Sequence, residues 1–315
     1  MRTRFFNRLV SAASEDPDLV LMTADLGFGV VEPFVEAYPG QFINTGVAEQ
    51  NMTGLAAGIA LSGGKVFTYS IANFPTLRCL EQIRNDVAYH NADVTIVAVG
   101  GGLAYGQLGM SHHATEDLAI MRAIPNLAVA APGDPVETDA VVEELLRNGG
   151  PAYLRLGKAG EASVHDAPLH VERGESVELR DAGQVALFST GAILGVTRDA
   201  ADLLAAEGVR AGVRSFPWLD PLDVDAIRAD ASRCDVIVTV EEHSIVGGLG
   251  SAVAEVLAEM PGAPPLVRVA LPAQFSSVVG DQQYLRTVHG LDPAAVAGRV
   301  LTYLRENRGL ARQVR

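Results

Sequence analysis

Short apolar runs alternate with helical patterns along this chain, and the alternation stops once and then restarts. No other feature narrows the possible folds as much. Runs suited to buried strands fall at residues 19–23, 41–44, 65–70, 94–100, 127–130 and 152–156, with helices starting near Val31, Ala48, Leu77, Thr115 and Pro135 between them. Strands joined through helices lie parallel, and a parallel sheet needs helices over both faces. Residues 157–183 break the pattern with Gly, Pro, His and alternating charge, and hold a weak strand at best. The pattern resumes with strands at 185–189, 210–215, 236–240 and 265–269 and helices at 193–207, 223–231, 250–259 and 293–307. A chain of 315 residues is long enough for two domains. The expected fold is α/β, with two doubly wound domains: a mainly parallel-sheet domain over 1–165, a linker over 166–183, and a smaller α/β domain over 184–315.

Composition removes several classes of function. With 38 Asp and Glu against 24 Lys and Arg, the net charge is -14, and no basic face is available for nucleic acid. No apolar run approaches the about 18 residues that a membrane span requires. At the start, Phe5, Phe6, Leu9, Val10 and Ala13 fit one face of a helix better than a signal peptide. Cys79 and Cys234 are too few for a disulfide framework or a structural zinc site. The chain is expected in the cytoplasm, without nucleic-acid or membrane partners.

Chemistry concentrates in a few stretches. Glu49 opens a helix built of small residues, Gly54, Ala56, Ala57, Gly58 and Ala60, which let another backbone or a flat ligand come close. Taken alone, Glu49 reads as an acid complementing a helix dipole. Asp25 follows the first strand in Asp-Leu-Gly and could be a turn residue, and Phe74 could be a core aromatic. Tyr69 ends a strand, where a tyrosine is usually structural. His112 and His113 sit on a loop entering a helix marked by Thr115, Glu116 and Asp117, a place where catalytic groups are often held. A histidine pair would suggest metal, but no carboxylate-and-histidine set completes one, so no metal ligand is expected in this chain.

Four segments in order carry a resemblance. Gly46-Val-Ala-Glu-Gln-Asn-Met52, Ala24-Asp-Leu-Gly27, the stretch from Phe74 to Asn85, and Glu241-Glu242-His243 with Gly247-Gly-Leu-Gly250 are together similar to the transketolase family. The likeness covers nearly the whole chain: a pyrimidine-binding domain, then a transketolase C-terminal domain. It implies that Glu49 bonds the N1' nitrogen of thiamine diphosphate and exchanges a proton there, a task for a carboxyl held out of water. It implies that Phe74 stacks on the aminopyrimidine, with Asp25 and, more weakly, Tyr69 near the cofactor. His112 would contact the reacting oxygens of substrate, and His113, where the family often has Gln, would be secondary. Leu108 replaces a substrate-recognising Asp of the family, and Lys158 corresponds best to its phosphate-binding Arg. The position of a phosphate-contacting His falls in Gly100-Gly101-Gly102. His243 is expected to tie the C-terminal domain to its neighbour.

The family holds the diphosphate and its Mg2+ through Gly-Asp-Gly and a later Asn. Neither Gly133-Asp134-Pro135 nor Gly280-Asp281-Gln282 qualifies. The resemblance therefore implies the C-terminal subunit of a split, two-component transketolase, transferring a two-carbon ketol unit from a ketose to an aldose. A separate N-terminal-type subunit would supply the diphosphate and Mg2+ ligands, in a heterotetramer with two of each chain. The substrates would be sugars or sugar phosphates, with weak activity on ribose 5-phosphate. Alternatives are the beta subunit of a 2-oxoacid dehydrogenase, a deoxyxylulose-phosphate-synthase-like enzyme, or a non-catalytic scaffold, for which Glu49 and His112 would have no use.

Overall fold

Twelve strands build two sheets in the computed structural model, which describes residues 1–307. The strands are β1 (Leu19–Thr23), β2 (Phe42–Asn44), β3 (Lys65–Ile71), β4 (Val94–Val99), β5 (Ala128–Ala130), β6 (Ala152–Leu156), β7 (Val177–Arg180), β8 (Val185–Thr190), β9 (Ala211–Ser215), β10 (Trp218–Asp220), β11 (Val236–Ser244) and β12 (Leu266–Leu271). The first sheet runs β10-β5-β6-β4-β3-β1-β2 and the second β12-β11-β8-β9-β7. Pairings are parallel except β10 with β5 and β7 with β9, each at a sheet edge. The mainly parallel α/β architecture expected from the alternation is thus present twice.

Period-two alternation decides which side chain meets which layer. On β3, Phe67 and Tyr69 face the helix Arg2–Ala13, whose Phe5, Phe6 and Leu9 are buried against them and against Leu19, Leu21 and Val97. That helix follows the apolar stripe predicted from the sequence. On the other face, Met22, Val66, Ile96 and Ala98 pack on Met52, Ala56 and Ala57 of the helix Glu49–Leu61. The same cluster continues through Phe188, Phe216, Leu249 and Val253, so one core runs from the first sheet into the second unit. Each such large side chain contributes about 1.5–3 kcal/mol on burial.

Three differences from the sequence expectation have physical causes. Part of the segment read as a linker, β7, is an edge strand of the second sheet, antiparallel to β9. In return β10 leaves the second unit and closes the edge of the first sheet, with Trp218 1% exposed in the core of the first unit. Strand β11 does not stop at Val240 but runs to Ser244, carrying Glu241, Glu242 and His243 buried. Charged residues can end a buried strand only where each finds partners, and these do.

Candidate active site

Parallel strands deliver the loops after their C-terminal ends to one edge of the sheet, the edge at which open α/β sheets hold ligands. Asp25 follows β1, Glu49 follows β2, Phe74 follows β3, Leu108, His112 and His113 follow β4, and Lys158 follows β6. The structure thus brings seven of the residues singled out in the sequence to loops or helix starts of a single edge.

Glu49 opens the helix Glu49–Leu61 with its side chain 2% exposed. A carboxylate so far out of water needs a charged partner, and Arg78 provides it, Nη1 donating to Oε2 at 2.8 Å. The same guanidinium lies over the Phe74 ring, 5.0 Å from its centroid. His112 meets that half-buried ring edge-on at 5.2 Å, and its Nδ1 is 3.0 Å from the Ser111 hydroxyl. Tyr105 stands 6.4 Å from the His112 ring, and Lys158 Nζ sits 4.7 Å above Tyr105. Glu49, Arg78, Phe74, His112, Tyr105 and Lys158 form one continuous line. Leu108, exposed, shares with Tyr105, Lys158 and Gln107 a cavity of about 220 Å³ at the end of that line.

Three sequence-predicted residues lie off the line. Strand alternation turns Tyr69 onto the face covered by the N-terminal helix, stacked on Phe5 at 6.2 Å and edge-on to Phe6 at 5.0 Å. Burial pushes its phenol well above the usual range. Asp25 is exposed with φ 56°, and its side chain is engaged in the turn. Asn44 Nδ2 donates to Asp25 Oδ1 at 3.2 Å, while the Asp25 and Gly46 amides both donate to Asn44 Oδ1 at 3.0 Å. Asp25 thereby braces the loop that leads to Glu49. His113 lies beneath its loop, 5% exposed, in a separate cavity of about 200 Å³ shared with Ser276 and His289 of the second unit. Burial lowers its pKa.

Arg78 and Tyr105 were missed. Arg78 follows Phe74 by four residues, the spacing at which helical side chains meet. Tyr105 is signalled by Gly100: a Cβ there would fall 2.0 Å from the tyrosine ring, and the backbone has φ 82°. The glycines in this stretch thus admit neighbouring side chains.

The corresponding edge of the second sheet is closed. Glu241 accepts from the Leu249 and Gly250 amides, each at 2.8 Å, at the start of the helix Leu249–Ala258, and burial pushes its carboxyl up to about 7. A Cβ at Gly248 would lie 2.0 Å from that carboxylate, so only glycine fits. Glu242 accepts from the Leu103 amide at 2.6 Å, from Gln282 Nε2 at 2.8 Å and from Arg286. Ala119 N donates to His243 Nε2 at 3.3 Å, which assigns the ring proton to Nδ1, donating to Ser244 O at 2.8 Å. Burial pulls this histidine down to about 4. His243 does join the two units.

Residues 1–160 match the family described as transketolase, pyrimidine binding domain, and residues 174–296 match transketolase, C-terminal domain. The chain is 34% identical to one subunit of the apulose-4-phosphate transketolase of Actinobacillus succinogenes, over 94% of this chain and 95% of that protein. It is 35% identical to a putative transketolase C-terminal section of Methanocaldococcus jannaschii, over 97% and 96%. A split gene transketolase solved as an inactive beta4 tetramer superposes with a TM-score of 0.87 at 35% identity, covering 96% of this chain and 97% of that one. Fold and site thus define a component of an α/β transferase. The chain belongs to the transketolase family, in the part that holds the pyrimidine-binding and C-terminal domains.

Family membership implies dependence on thiamine diphosphate. The donor set suits the aminopyrimidine end of that cofactor: a buried carboxylate beside a half-buried aromatic ring. Among the described residues no group of three His, Cys, Asp or Glu side chains is placed to hold a metal ion, and no helix is long and apolar enough to cross a membrane.

Proposed function

We propose that this chain is the C-terminal subunit of a two-component, thiamine-diphosphate-dependent transketolase that moves a two-carbon ketol unit from a ketose to an aldose. The observation that carries the proposal is the Glu49 carboxylate, withdrawn from water at the open edge of a parallel sheet with Phe74 and His112 beside it. A partner subunit with the Gly-Asp-Gly and Asn motif supplies the diphosphate and Mg2+ ligands, in a heterotetramer with two of each chain. The relatives named as one subunit of a transketolase, or as its C-terminal section, support that division of labour.

Thiamine diphosphate supplies the carbon nucleophile and the electron sink that ketol transfer needs. Glu49 binds the aminopyrimidine ring nitrogen and holds or gives up a proton there, which an isosteric amide cannot do. Phe74 offers a flat apolar face for stacking. His112, edge-on to Phe74, donates to or takes a proton from the oxygens of the reacting sugar. Asp25 sets the path of the loop that carries Glu49. Lys158, held over Tyr105, attracts an anionic substituent on the far end of the substrate, and Leu108 lines the wall with apolar surface. His113 acts only by supporting the loop of His112.

Reconstitution tests the reading: the chain co-expressed with a subunit carrying the Gly-Asp-Gly motif should convert a ketose and an aldose into new sugars without releasing carbon dioxide. Decarboxylation of pyruvate, with no ketol transfer, would replace the reading by a 2-oxoacid-based reaction.

A further inference from the structure

Among the described residues the Glu49 carboxylate has one side-chain partner, Arg78. The same guanidinium covers one face of Phe74. A planar, delocalised cation can do both at once, donating along its edge and stacking on its face. Those are the two contacts that the function proposed above gives to the aminopyrimidine, a flat heterocycle bonded to Glu49 and stacked on Phe74. A ring that took the same carboxylate oxygen and the same face of Phe74 would have to displace the guanidinium.

The surroundings decide which side of the ion pair moves. Glu49 is fixed at a helix start, and its side chain is 2% exposed. Arg78 follows a helix of only five residues, Asn73–Leu77, its side chain is 46% exposed, and Glu49 is its only hydrogen-bond partner among the described residues. It can exchange that single bond for water by rotating outward, whereas Glu49 has no such path. The exchange leaves the buried carboxylate unpartnered unless another donor arrives in the same movement, and a protonated ring nitrogen is such a donor.

We propose that Arg78 is a placeholder for the aminopyrimidine, a positioning residue that occupies the ring's position in the free chain and swings to solvent as the cofactor enters. This rests on the function proposed above. It keeps Glu49 partnered and Phe74 covered before assembly, and it makes cofactor binding compete with an internal ion pair. Removing the guanidinium then strengthens binding, whereas removing an ordinary supporting contact would weaken it.

The test is calorimetric titration of thiamine diphosphate with Mg2+ into the reconstituted pair. Arg78→Met should lower Kd about tenfold, with Arg78→Lys intermediate because it keeps the charge without the stacking face. Unchanged or weaker binding by a folded Arg78→Met pair would overturn the proposal. If Arg78→Met fails to fold, Arg78→Lys decides by the same criterion. Phe74→Ala separates the two levels of argument. Unaltered cofactor binding by that variant removes the proposed function itself, while weaker binding by both Phe74→Ala and Arg78→Met removes only the placeholder.

Discussion

The two sheets present the same kind of edge, yet they use it in opposite ways. At the C-terminal edge of the second sheet, Glu241, Glu242 and His243 are buried and bonded to backbone amides, Gln282 and Arg286, with the helices drawn over them. At the first sheet, buried Glu49 is answered by a half-exposed arginine, Phe74 and His112 are only partly covered, and Leu108 stands in the open. Burying a charge is costly unless it is fully paired. The second edge meets that demand internally and becomes a joint between units. The first meets it with a partner that can leave, which is what a binding site for a polar ring requires.

Breaking the open edge at its most specialised residue should have the largest effect. Glu49→Gln in the assembled pair keeps shape and removes proton transfer, so kcat should fall about 10²–10⁴-fold. Circular dichroism and assembly by size-exclusion chromatography should stay as in the parent. The closed edge should respond in stability instead. Glu242→Ala strands the Leu103 amide and Arg286, and a denaturant titration should report a loss of about 3 kcal/mol. If both substitutions changed only stability, the contrast between the edges would be lost.

Proton linkage sharpens the same comparison. Glu241 titrates at about 7 in the fold against an ordinary value of 4.5, so the native chain holds the extra proton and stability falls as pH rises through that window. His243 is lowered to about 4 from 6.5, so the unfolded chain holds the extra proton and stability rises over that window. The two slopes oppose each other between pH 4.5 and 6.5. Glu241→Gln should remove the opposing slope at this edge and uncover the rise from His243, up to roughly 3 kcal/mol across its window, visible in melting curves taken at successive pH values. A flat profile in that variant would deny the buried neutral histidine.

The smallest effect concerns substrate. Lys158→Ala should lower kcat/KM for phosphorylated aldoses about fivefold while sparing free aldoses, since it removes one exposed charge. The parent pair should already be poor with ribose 5-phosphate, because Lys158 lacks the two-pronged contact of an arginine and Leu108 accepts no hydrogen bond. High efficiency on that sugar would show an intact phosphate site.

Sequence pattern carried the layers well, because each buried strand must be apolar and each loop after it must turn. Strands β7 and β10 were the hardest to read: both are short edge strands fixed by long-range antiparallel pairing, β7 on β9 and β10 on β5 of the other unit, which local pattern does not encode. Glu49, Phe74 and His112 were legible through short segments resembling the family, and they converge. Tyr69 was the weaker candidate, and its face is set by strand register and by the N-terminal helix that packs there. Arg78 was overlooked because a charge on a helix normally reads as a solvated face, and only burial of Glu49 gives it a task. His113, secondary to His112 on the sequence, points away from it because consecutive loop residues diverge, one toward Phe74 and one toward the second unit.

The central claim is that the chain holds half of a cofactor site. Calorimetry with thiamine diphosphate and Mg2+ tests it most directly, first on the isolated chain and then on the pair formed with a Gly-Asp-Gly subunit. The expected result is no measurable binding by the chain alone and sub-micromolar binding by the pair. Sub-micromolar binding by the isolated chain would contradict the two-component account.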